Sequence, residues 1–332
     1  MPRPVAQRAD LSAAWKRLYG LWKESFYVKV GYSRELIART LEKHTRPVVC
    51  WSGGKDSTVL LHLVREQLPD VDVIFNDPLV DLPETYSYVE KMANAWNLNL
   101  HITKPERGQD FWSLGRTYGW PIFGKSVASN VERAQRTGNI RKQLTDMERQ
   151  LAMSGICISC RCSDLLRTKP GMHMEKKLCC DLKIVGLRAD ESRARVRLWA
   201  DHGEYFYTRR HFSYREGIWK LNPIARWLEE DIWSYHRINN IPPCQLYEIG
   251  HKRNGCWACA MGIRNGHLKR LSDSHPELFS ELLVESPMGS ALMQARDFWL
   301  GKRPKSRYRK STRRAVLNTY HEAFTKAWRR GD

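Results

Sequence analysis

The feature that most constrains the fold is a six-residue segment, Ser-Gly-Gly-Lys-Asp-Ser at 52–57, between two apolar stretches. The preceding residues, 46–51, read Arg-Pro-Val-Val-Cys-Trp, a short run typical of a buried strand. The following residues, 58–68, are rich in Val and Leu and are long enough to predict a helix. A strand joined to a helix by so short a loop indicates a parallel βα unit.

Strand and helix patterns continue to alternate along the chain. Strands are predicted at 46–51, 71–75, 98–103 and 183–188, with two further extended segments at 205–208 and 217–221. Helices are predicted within 10–44 and at 58–68, 82–96, 126–152 and 228–239. This alternation predicts an α/β fold, with a parallel twisted sheet and helices on both of its faces.

The composition is that of a globular protein. Hydrophobic residues make up 42% of the sequence, which is enough for a packed core. Uninterrupted apolar runs are far shorter than the roughly 20 residues of a transmembrane helix, and no secretory signal pattern is present. We therefore expect a cytoplasmic protein with no membrane partner. Its predicted parts are a helical extension at 1–45, an α/β domain at 46–265 and a basic helical extension at 266–332.

The loop at 52–57 has the composition of a phosphate-binding site. Gly53 and Gly54 allow close approach of the backbone to an anion, because no Cβ atom stands in the way. Lys55 adds a positive charge, and Ser52 and Ser57 add hydroxyl donors at the start of a helix. The spacing differs from that of a Walker A loop. The alternative, an ordinary turn with a solvated lysine, is disfavoured by the flanking strand and helix.

Positive charge is concentrated at the two ends of the chain. The formal net charge is +19, and residues 302–314 contain eight Lys and Arg side chains and no acidic one. Such a pattern favours contact with the backbone of a nucleic acid, DNA or RNA. The candidate contact residues are Arg307, Arg309, Arg313 and Arg314. The alternative is a charged surface that only improves solubility.

Five of the nine cysteines fall into two tight groups, at 157–162 and 256–259. In a reducing compartment such groups indicate a metal or catalytic site more often than disulfides. Two groups with short spacings can supply four thiolates to one centre, which is either structural zinc or an iron–sulfur cluster. The candidate ligands are Cys160, Cys162, Cys256 and Cys259, with Cys157 as a possible substitute for either upstream ligand.

Several motifs together resemble one protein family. The loop at 52–57 resembles the signature of the PP-loop ATP pyrophosphatases, which have the adenine nucleotide alpha hydrolase-like fold. The segment 77–85, Asp-Pro-Leu-Val-Asp-Leu-Pro-Glu-Thr, resembles a motif of the phosphoadenosine-phosphosulfate (PAPS) reductase branch. Further resemblances to this branch lie at 185–192 with Arg195, 222–227, 231–233, 241–247 and 255–259. In total the resemblance extends over about 46–262.

The resemblance implies roles for individual residues. Ser52, Gly53, Gly54, Lys55, Asp56 and Ser57 are expected to bind the β- and γ-phosphates of ATP, with Mg²⁺ nearby. Lys55, Asp56, Ser57 and Arg188 are expected to act in catalysis, with Arg188 on the α-phosphate or, alternatively, in a surface salt bridge. Asp77 is expected to contact the nucleoside or a metal, or else to cap the end of a strand. The cysteines are expected to hold a [4Fe–4S] cluster, with zinc as the alternative.

The absence of a cysteine near the end of this sequence distinguishes between the possible functions within this family. The reductases of the branch use a cysteine near their C-terminus as nucleophile, and no cysteine follows Cys259 in this sequence. The resemblance therefore favours the ATP pyrophosphatases of DNA phosphorothioation (Dnd/Ssp type), which act with a cysteine desulfurase as sulfur donor and with other phosphorothioation proteins. The alternatives are a sulfonucleotide reductase, a tRNA thiolation enzyme, and a non-catalytic, metal-stabilised nucleic-acid-binding protein.

Overall fold

The computed structural model describes residues 10–138, 144–209, 217–260 and 266–300. These residues contain one six-stranded sheet. The strands are β1 Pro47–Cys50, β2 Asp72–Asn76, β3 Asn99–Thr103, β4 Leu182–Val185, β5 Tyr205–Arg209 and β6 Gly217–Leu221. Their order in the sheet is β3-β2-β1-β4-β6-β5, and every neighbouring pair is parallel except β5 with β6. The predicted α/β class is confirmed, and the extended segments at 205–208 and 217–221 pair as an antiparallel edge.

Helices connect and flank these strands. In chain order they are α1 Leu11–Trp22, α2 Phe26–Leu41, α3 Lys55–Arg65, α4 Pro83–Ala95, α5 Phe111–Tyr118, α6 Lys125–Thr137, α7 Asp146–Met153, α8 Arg161–Ser163, α9 Lys169–Lys177, α10 Arg193–His202, α11 Glu229–Ile238, α12 His267–Ser274, α13 Pro276–Ser280 and α14 Pro287–Leu300. Short 3₁₀ turns lie at Ala189–Glu191 and Gln245–Tyr247, and π-helical turns at Asp164–Thr168 and Glu281–Glu285. The predicted helical stretch 126–152 is two helices, α6 and α7. No helix in the described ranges has the length and hydropathy of a membrane span.

Both faces of the sheet are buried. On one face Val48 and Ile74 pack with Ile218 and with Met174 of α9. Side chains alternate along a strand, so Val49 points to the opposite face of the sheet. Val73 and Ile184 lie beside Val49 on the adjacent strands, and all three are fully buried. Strands buried on both faces are typical of parallel sheets covered by helices, as the sequence predicts.

The described chain forms two compact units. The first combines 10–76, 83–103 and 169–247 and contains the whole sheet. The second combines 77–82, 104–168 and 248–300 and contains the helices α5 to α8 and α12 to α14. The domain boundaries predicted from the sequence, near 45 and 265, stay predictions.

The register of the sheet determines where a ligand site can form. Cys50, at the end of β1, lies opposite Ile74 of β2 and opposite Val185 of β4. These parallel strands therefore end at the same edge of the sheet. Loops at this edge form the usual ligand site of open α/β sheets, and the 52–57 loop leaves β1 there.

Candidate active site

The predicted phosphate loop connects β1 to α3 at the carboxyl edge of the sheet. The N–H of Trp51 donates to the carbonyl of Ile74 (3.0 Å), and the indole Nε1 of Trp51 donates to Oγ1 of Thr58 (2.9 Å), which joins the end of the strand to the helix. Gly53 has a φ of 68°, a backbone conformation that favours glycine. Gly54 is the N-cap residue of α3 and provides no side chain to cap it. The first N–H groups of α3 are thus arranged around a place for an anion.

The two serines of the loop hold its shape. The hydroxyl of Ser57 donates to the carbonyl of Gly54 (2.9 Å) and accepts the backbone N–H of Ser52 (3.2 Å). The Oγ atoms of Ser52 and Ser57 lie 3.1 Å apart. Ser57 therefore connects both ends of the loop, a structural role in addition to the phosphate contact predicted for it.

Lys55 is buried beside two aromatic rings and two carboxylates. Its Nζ lies 3.3 Å from Oε1 of Glu229 and 3.5 Å from Oδ2 of Asp56. The same atom lies 5.4 Å from the centre of the Tyr247 ring and 5.9 Å from that of Trp233. Only 5% of the Lys55 side chain is exposed, so its charge acts in a region with little solvent screening.

Arg188 lies beside the loop, three residues after the last residue of β4, whereas the sequence predicts a strand that extends to Arg188. Its Nε lies 2.5 Å from Oδ1 of Asp56, and its Nη1 lies 2.6 Å from Oδ2 of Asp190. Burial raises the pKa of the Asp190 carboxyl, against the lowering effect of Arg188. Arg188 is 4% exposed, so the surface salt bridge considered as its alternative role does not describe this buried pair. Its contact with an α-phosphate stays a prediction.

Gly186 allows the end of β4 to pass close to the loop. A Cβ atom at this position would lie 3.1 Å from Cα of Ser57 and 3.2 Å from the carbonyl oxygen of Asp56. Both are backbone atoms of α3, so a larger residue would displace the start of the helix. The glycine in Val-Gly-Leu-Arg thus brings Arg188 to the loop.

Three residues beside the loop have no role assigned by the sequence analysis, namely Glu229, Trp233 and Tyr247. Trp233 and Tyr247 lie in segments whose motifs resemble the PAPS reductase branch. This resemblance is the sequence feature that could have identified them as site residues. Glu229 is the first residue of α11, and its backbone N–H donates to Oδ2 of Asp190 (3.1 Å). The start of α11 therefore contacts Asp190, the carboxylate that also pairs with Arg188.

Asp77 belongs to the second compact unit. Its Oδ1 accepts the backbone N–H of Leu79 (2.7 Å), and Leu79 has a φ of 64°. The carboxylate thus stabilises the turn after β2, which agrees with the strand-end role considered for it. A contact of Asp77 with a nucleoside or metal stays a prediction.

The four candidate cysteine ligands all lie in the second unit. Burial, together with the charges of Cys259, Cys256 and Cys160, raises the pKa of the Cys162 thiol to about 12. Cys256 and Cys259 are joined by a turn in which the N–H of Cys259 donates to the carbonyl of Cys256 (3.2 Å). The two cysteine groups, far apart in sequence, thus belong to the same compact unit.

The donor set fits a four-thiolate centre in its chemistry, since four thiols suit both a [4Fe–4S] cluster and zinc. Within the described residues, however, no three His, Cys, Asp or Glu side chains converge as a metal site requires. The choice of ligands therefore stays a prediction. Cys157 is exposed whereas Cys160 is buried, and its role as a substitute ligand also stays a prediction.

Arg167 is a further residue near these thiols that the sequence analysis missed. Its Nη2 lies 2.5 Å from Oδ1 of Asp81 and 3.4 Å from Sγ of Cys256. Burial raises the pKa of the Cys256 thiol to about 12, against the lowering effect of Arg167. A guanidinium at this distance favours the thiolate form, which is the form that binds a metal.

The four arginines predicted to contact a nucleic acid, Arg307, Arg309, Arg313 and Arg314, lie outside the described residues. The same holds for the whole basic segment 302–314.

The model of the phosphoadenosine phosphosulfate reductase domain matches residues 46–261. The chain belongs to this family. The matched residues include the phosphate loop, Arg188 and all candidate cysteine ligands.

Individual proteins and a solved structure are also similar to this chain. An uncharacterised protein of Methanocaldococcus jannaschii is 26% identical over 231 residues, covering 70% of this chain and 45% of the relative. The phosphoadenosine 5'-phosphosulfate reductase of Proteus mirabilis is 27% identical over 204 residues, covering 61% of this chain and 66% of the relative. A Candida auris phosphoadenylyl-sulfate reductase in a phosphate complex has a TM-score of 0.46 and 20% identity, covering 75% of this chain and 96% of that one. The chain thus spans less than half of the first relative and about two thirds of the second.

Proposed function

We propose that the protein is an ATP pyrophosphatase, which cleaves ATP to AMP and pyrophosphate and activates a nucleic-acid backbone for sulfur incorporation in DNA phosphorothioation. The observation that carries the proposal is the convergence of the α3 N-terminus, Lys55 and Arg188 on one loop of the sheet edge. Two buried cations and a helix N-terminus at one place favour a polyphosphate ligand.

The geometry supports a division of roles among these groups. The loop and Lys55 are suited to the β- and γ-phosphates, whose charge grows as pyrophosphate leaves. Arg188, in the segment that follows the neighbouring strand β4, is suited to the α-phosphate, because its planar guanidinium can hold two oxygens at once. Asp56 lies between the two cations, and its carboxylate is the oxygen ligand in the loop that suits Mg²⁺. Bound Mg²⁺ would neutralise part of the phosphate charge.

The sulfur-related part of the proposal depends on other regions of the chain. Cys160, Cys162, Cys256 and Cys259 are proposed to hold a [4Fe–4S] cluster, with zinc as the alternative. The basic tail with Arg307, Arg309, Arg313 and Arg314 is proposed to contact the DNA backbone. A cysteine desulfurase is the proposed sulfur donor, acting together with other phosphorothioation proteins.

A sulfonucleotide reductase is the second candidate. The names of the relatives favour it, since the Proteus mirabilis relative is a phosphoadenosine 5'-phosphosulfate reductase. Such a reductase requires a thiolate to accept the sulfur group, and residues 260–332 contain no cysteine. Residues 260–332 therefore do not supply a nucleophile of the kind that the reductase branch uses.

One experiment separates the two candidates. Anaerobically purified protein is incubated with Mg²⁺ and either ATP or phosphoadenylyl sulfate with a thiol reductant, and pyrophosphate, AMP and sulfite are measured. We expect AMP and pyrophosphate from ATP, and we expect Lys55→Ala to lower this rate by a factor of about 100 to 1,000, or about 2.7–4 kcal/mol. Sulfite release without pyrophosphate release would assign the protein to the reductases, and ADP with phosphate would contradict cleavage between the α- and β-phosphates.

A further inference from the structure

The hydroxyl of Tyr247 lies inside the phosphate loop. It accepts the backbone N–H of Lys55 at 2.9 Å. It also lies 3.5 Å from the point that a Cβ atom on Gly54 would occupy. Lys55 is the first residue of α3, so Tyr247 contacts one of the N–H groups that the loop offers to an anion.

The Tyr247 hydroxyl retains a hydrogen that it can donate. It uses an oxygen lone pair to accept from Lys55, and no acceptor for its own hydrogen lies among the residues that the structure describes. Burial raises the pKa of Tyr247, so the hydroxyl stays protonated at neutral pH. A protonated phenol at an anion site can donate a hydrogen bond to a negatively charged oxygen.

The surrounding side chains fix the position of Tyr247. The Trp233 ring packs edge-on against it, with ring centres 5.4 Å apart and an interplanar angle of 86°. The neighbouring Leu246 is fully buried. The His236 ring lies between the carbonyl oxygens of Lys55 (3.1 Å) and Ile241 (3.0 Å), and so joins the first turn of α3 to the segment that leads to Tyr247. The hydroxyl therefore has little freedom to leave the loop.

We propose that Tyr247 is a phosphate-binding residue, which accepts the Lys55 N–H and donates its hydroxyl hydrogen to a non-bridging oxygen of the polyphosphate held by the loop. This inference rests on the proposed function, because it names a further ligand residue of the same site. Its consequence is that the loop binds polyphosphate through a relay, from Lys55 N–H to the Tyr247 hydroxyl to the phosphate.

The competing interpretation is that Tyr247 occupies the anion position itself. In that case the hydroxyl must leave before phosphate can reach the Lys55 N–H. The two interpretations predict opposite effects for Tyr247→Phe, which keeps the ring and its packing and removes only the hydroxyl. A ligand residue loses affinity on this change, whereas a competitor gains it.

The test measures the affinity of Tyr247→Phe for inorganic pyrophosphate and for ATP with Mg²⁺ by titration calorimetry. We expect a roughly 10- to 100-fold loss for both, since a hydrogen bond to a charged acceptor is removed. Tyr235→Phe is the matched control, because it deletes a phenol hydroxyl that contacts Glu66 (3.0 Å) and His62 (2.9 Å) and not the loop. We expect the control to bind pyrophosphate as the wild type does, and both variants to keep a wild-type circular dichroism spectrum.

Each of the other possible results of this titration has a different consequence. Unchanged or increased affinity in a folded Tyr247→Phe variant would overturn the assignment of Tyr247 while leaving the pyrophosphatase proposal in place. Wild-type protein that binds neither pyrophosphate nor ATP would overturn both. An equal loss of affinity in Tyr235→Phe would show that removal of any buried phenol hydroxyl disturbs the loop, and would also overturn the specific role of Tyr247.

Discussion

Buried Arg188 forms an ion pair with half-buried Asp56, with Nε of Arg188 2.5 Å from Oδ1 of Asp56. The cation predicted for the α-phosphate is thus held by a carboxylate of the phosphate loop itself. Asp190 holds the same guanidinium from another direction, with Nη1 and Oδ2 2.6 Å apart. Two carboxylates fix the orientation of Arg188 before any nucleotide arrives, and such preorganisation is what electrostatic stabilisation of a transition state requires.

Replacement of Arg188 should therefore affect the chemical step more than the binding of ATP. For Arg188→Ala we expect kcat for pyrophosphate release to fall about 100- to 1,000-fold, since one preorganised donor is lost. Arg188→Lys should recover little of this rate, because an ammonium group cannot hold two oxygens in the plane of a guanidinium. Steady-state kinetics with ATP measure both effects.

A control for Arg188 is available on the surface. Arg34 forms a two-contact ion pair with Glu66, and its side chain is 47% exposed. Because exposed pairs contribute about 0–1 kcal/mol, Arg34→Ala should leave kcat unchanged. Equal kcat values for Arg188→Ala and the wild type would contradict the catalytic role of Arg188.

Gly186→Ala should displace the phosphate loop without removing any of its side chains. The new Cβ would lie 3.1 Å from Cα of Ser57, a backbone atom that cannot move alone. We expect about 1–3 kcal/mol of lost folding stability, as for other overpacked sites, together with weaker pyrophosphate binding. Urea unfolding and calorimetry measure the two effects.

Gly31→Ala is the matched control for this change. Gly31 lies within α2, and a Cβ atom there would have no neighbour within 4 Å. The substitution should raise stability by about 0.5–1 kcal/mol, because alanine is the better helix former. A Gly186→Ala variant as stable as Gly31→Ala would show that β4 does not constrain the loop.

The local part of the site could be predicted from the sequence, because strand, loop and helix are neighbours along the chain. The composition of the 52–57 loop indicated phosphate binding, and the alternation around it indicated the parallel sheet. The contact of Lys55 with Tyr247 spans 192 positions and that of Asp56 with Arg188 spans 132. No local pattern encodes such pairs. Arg188 could be assigned to the site from its place at the end of a predicted strand and from a motif that resembles a known family, but its pairing with Asp56 could not.

The same limit applies to the cysteines. The spacing of each group indicates thiols that can share a centre, and the fold places both groups in one compact unit. Arg167 and Asp81 come from other segments, and a single sequence contains no signal that they pair beside Cys256. The sequence thus predicts that thiols form the centre, whereas the side chains that surround these thiols depend on how distant segments pack.

The cysteine centre can be tested by metal and sulfide analysis. Anaerobically purified protein should be brown and contain about four iron and four sulfide per chain, as four-thiolate ligation of a [4Fe–4S] cluster requires. Cys256→Ser and Cys259→Ser should bleach the protein and lower its stability. Cys157→Ser should do so only if Cys157 replaces an upstream ligand.

Cys179→Ser serves as the control, because Cys179 is exposed and belongs to the other compact unit. Its iron and sulfide content should equal that of the wild type. Stoichiometric zinc without sulfide, in protein that was made and purified anaerobically, would identify the centre as structural zinc instead.

The basic tail should determine how DNA affinity depends on salt. Each phosphate neutralised by the protein contributes about 0.9 to the slope of log affinity against log salt concentration on duplex DNA. Changing Arg307, Arg309, Arg313 and Arg314 together to Ala should therefore weaken binding to any DNA sequence and reduce this slope by up to roughly 3–4. Pyrophosphate release measured without DNA should stay at the wild-type rate, because these arginines are remote in sequence from the 52–57 loop.

A change of equal charge elsewhere distinguishes a specific contact from the general attraction of a protein with net charge +19. Arg107, Arg116, Arg133 and Arg136 are exposed in the described structure, and their joint replacement by Ala removes the same charge. If the tail binds the DNA backbone, this control should change the slope much less than the tail variant does, since it removes no contact. Equal slopes for the two variants and the wild type would show that the tail contributes solubility alone. In that case a DNA-binding surface would have to lie among the basic residues of the N-terminal helices α1 and α2.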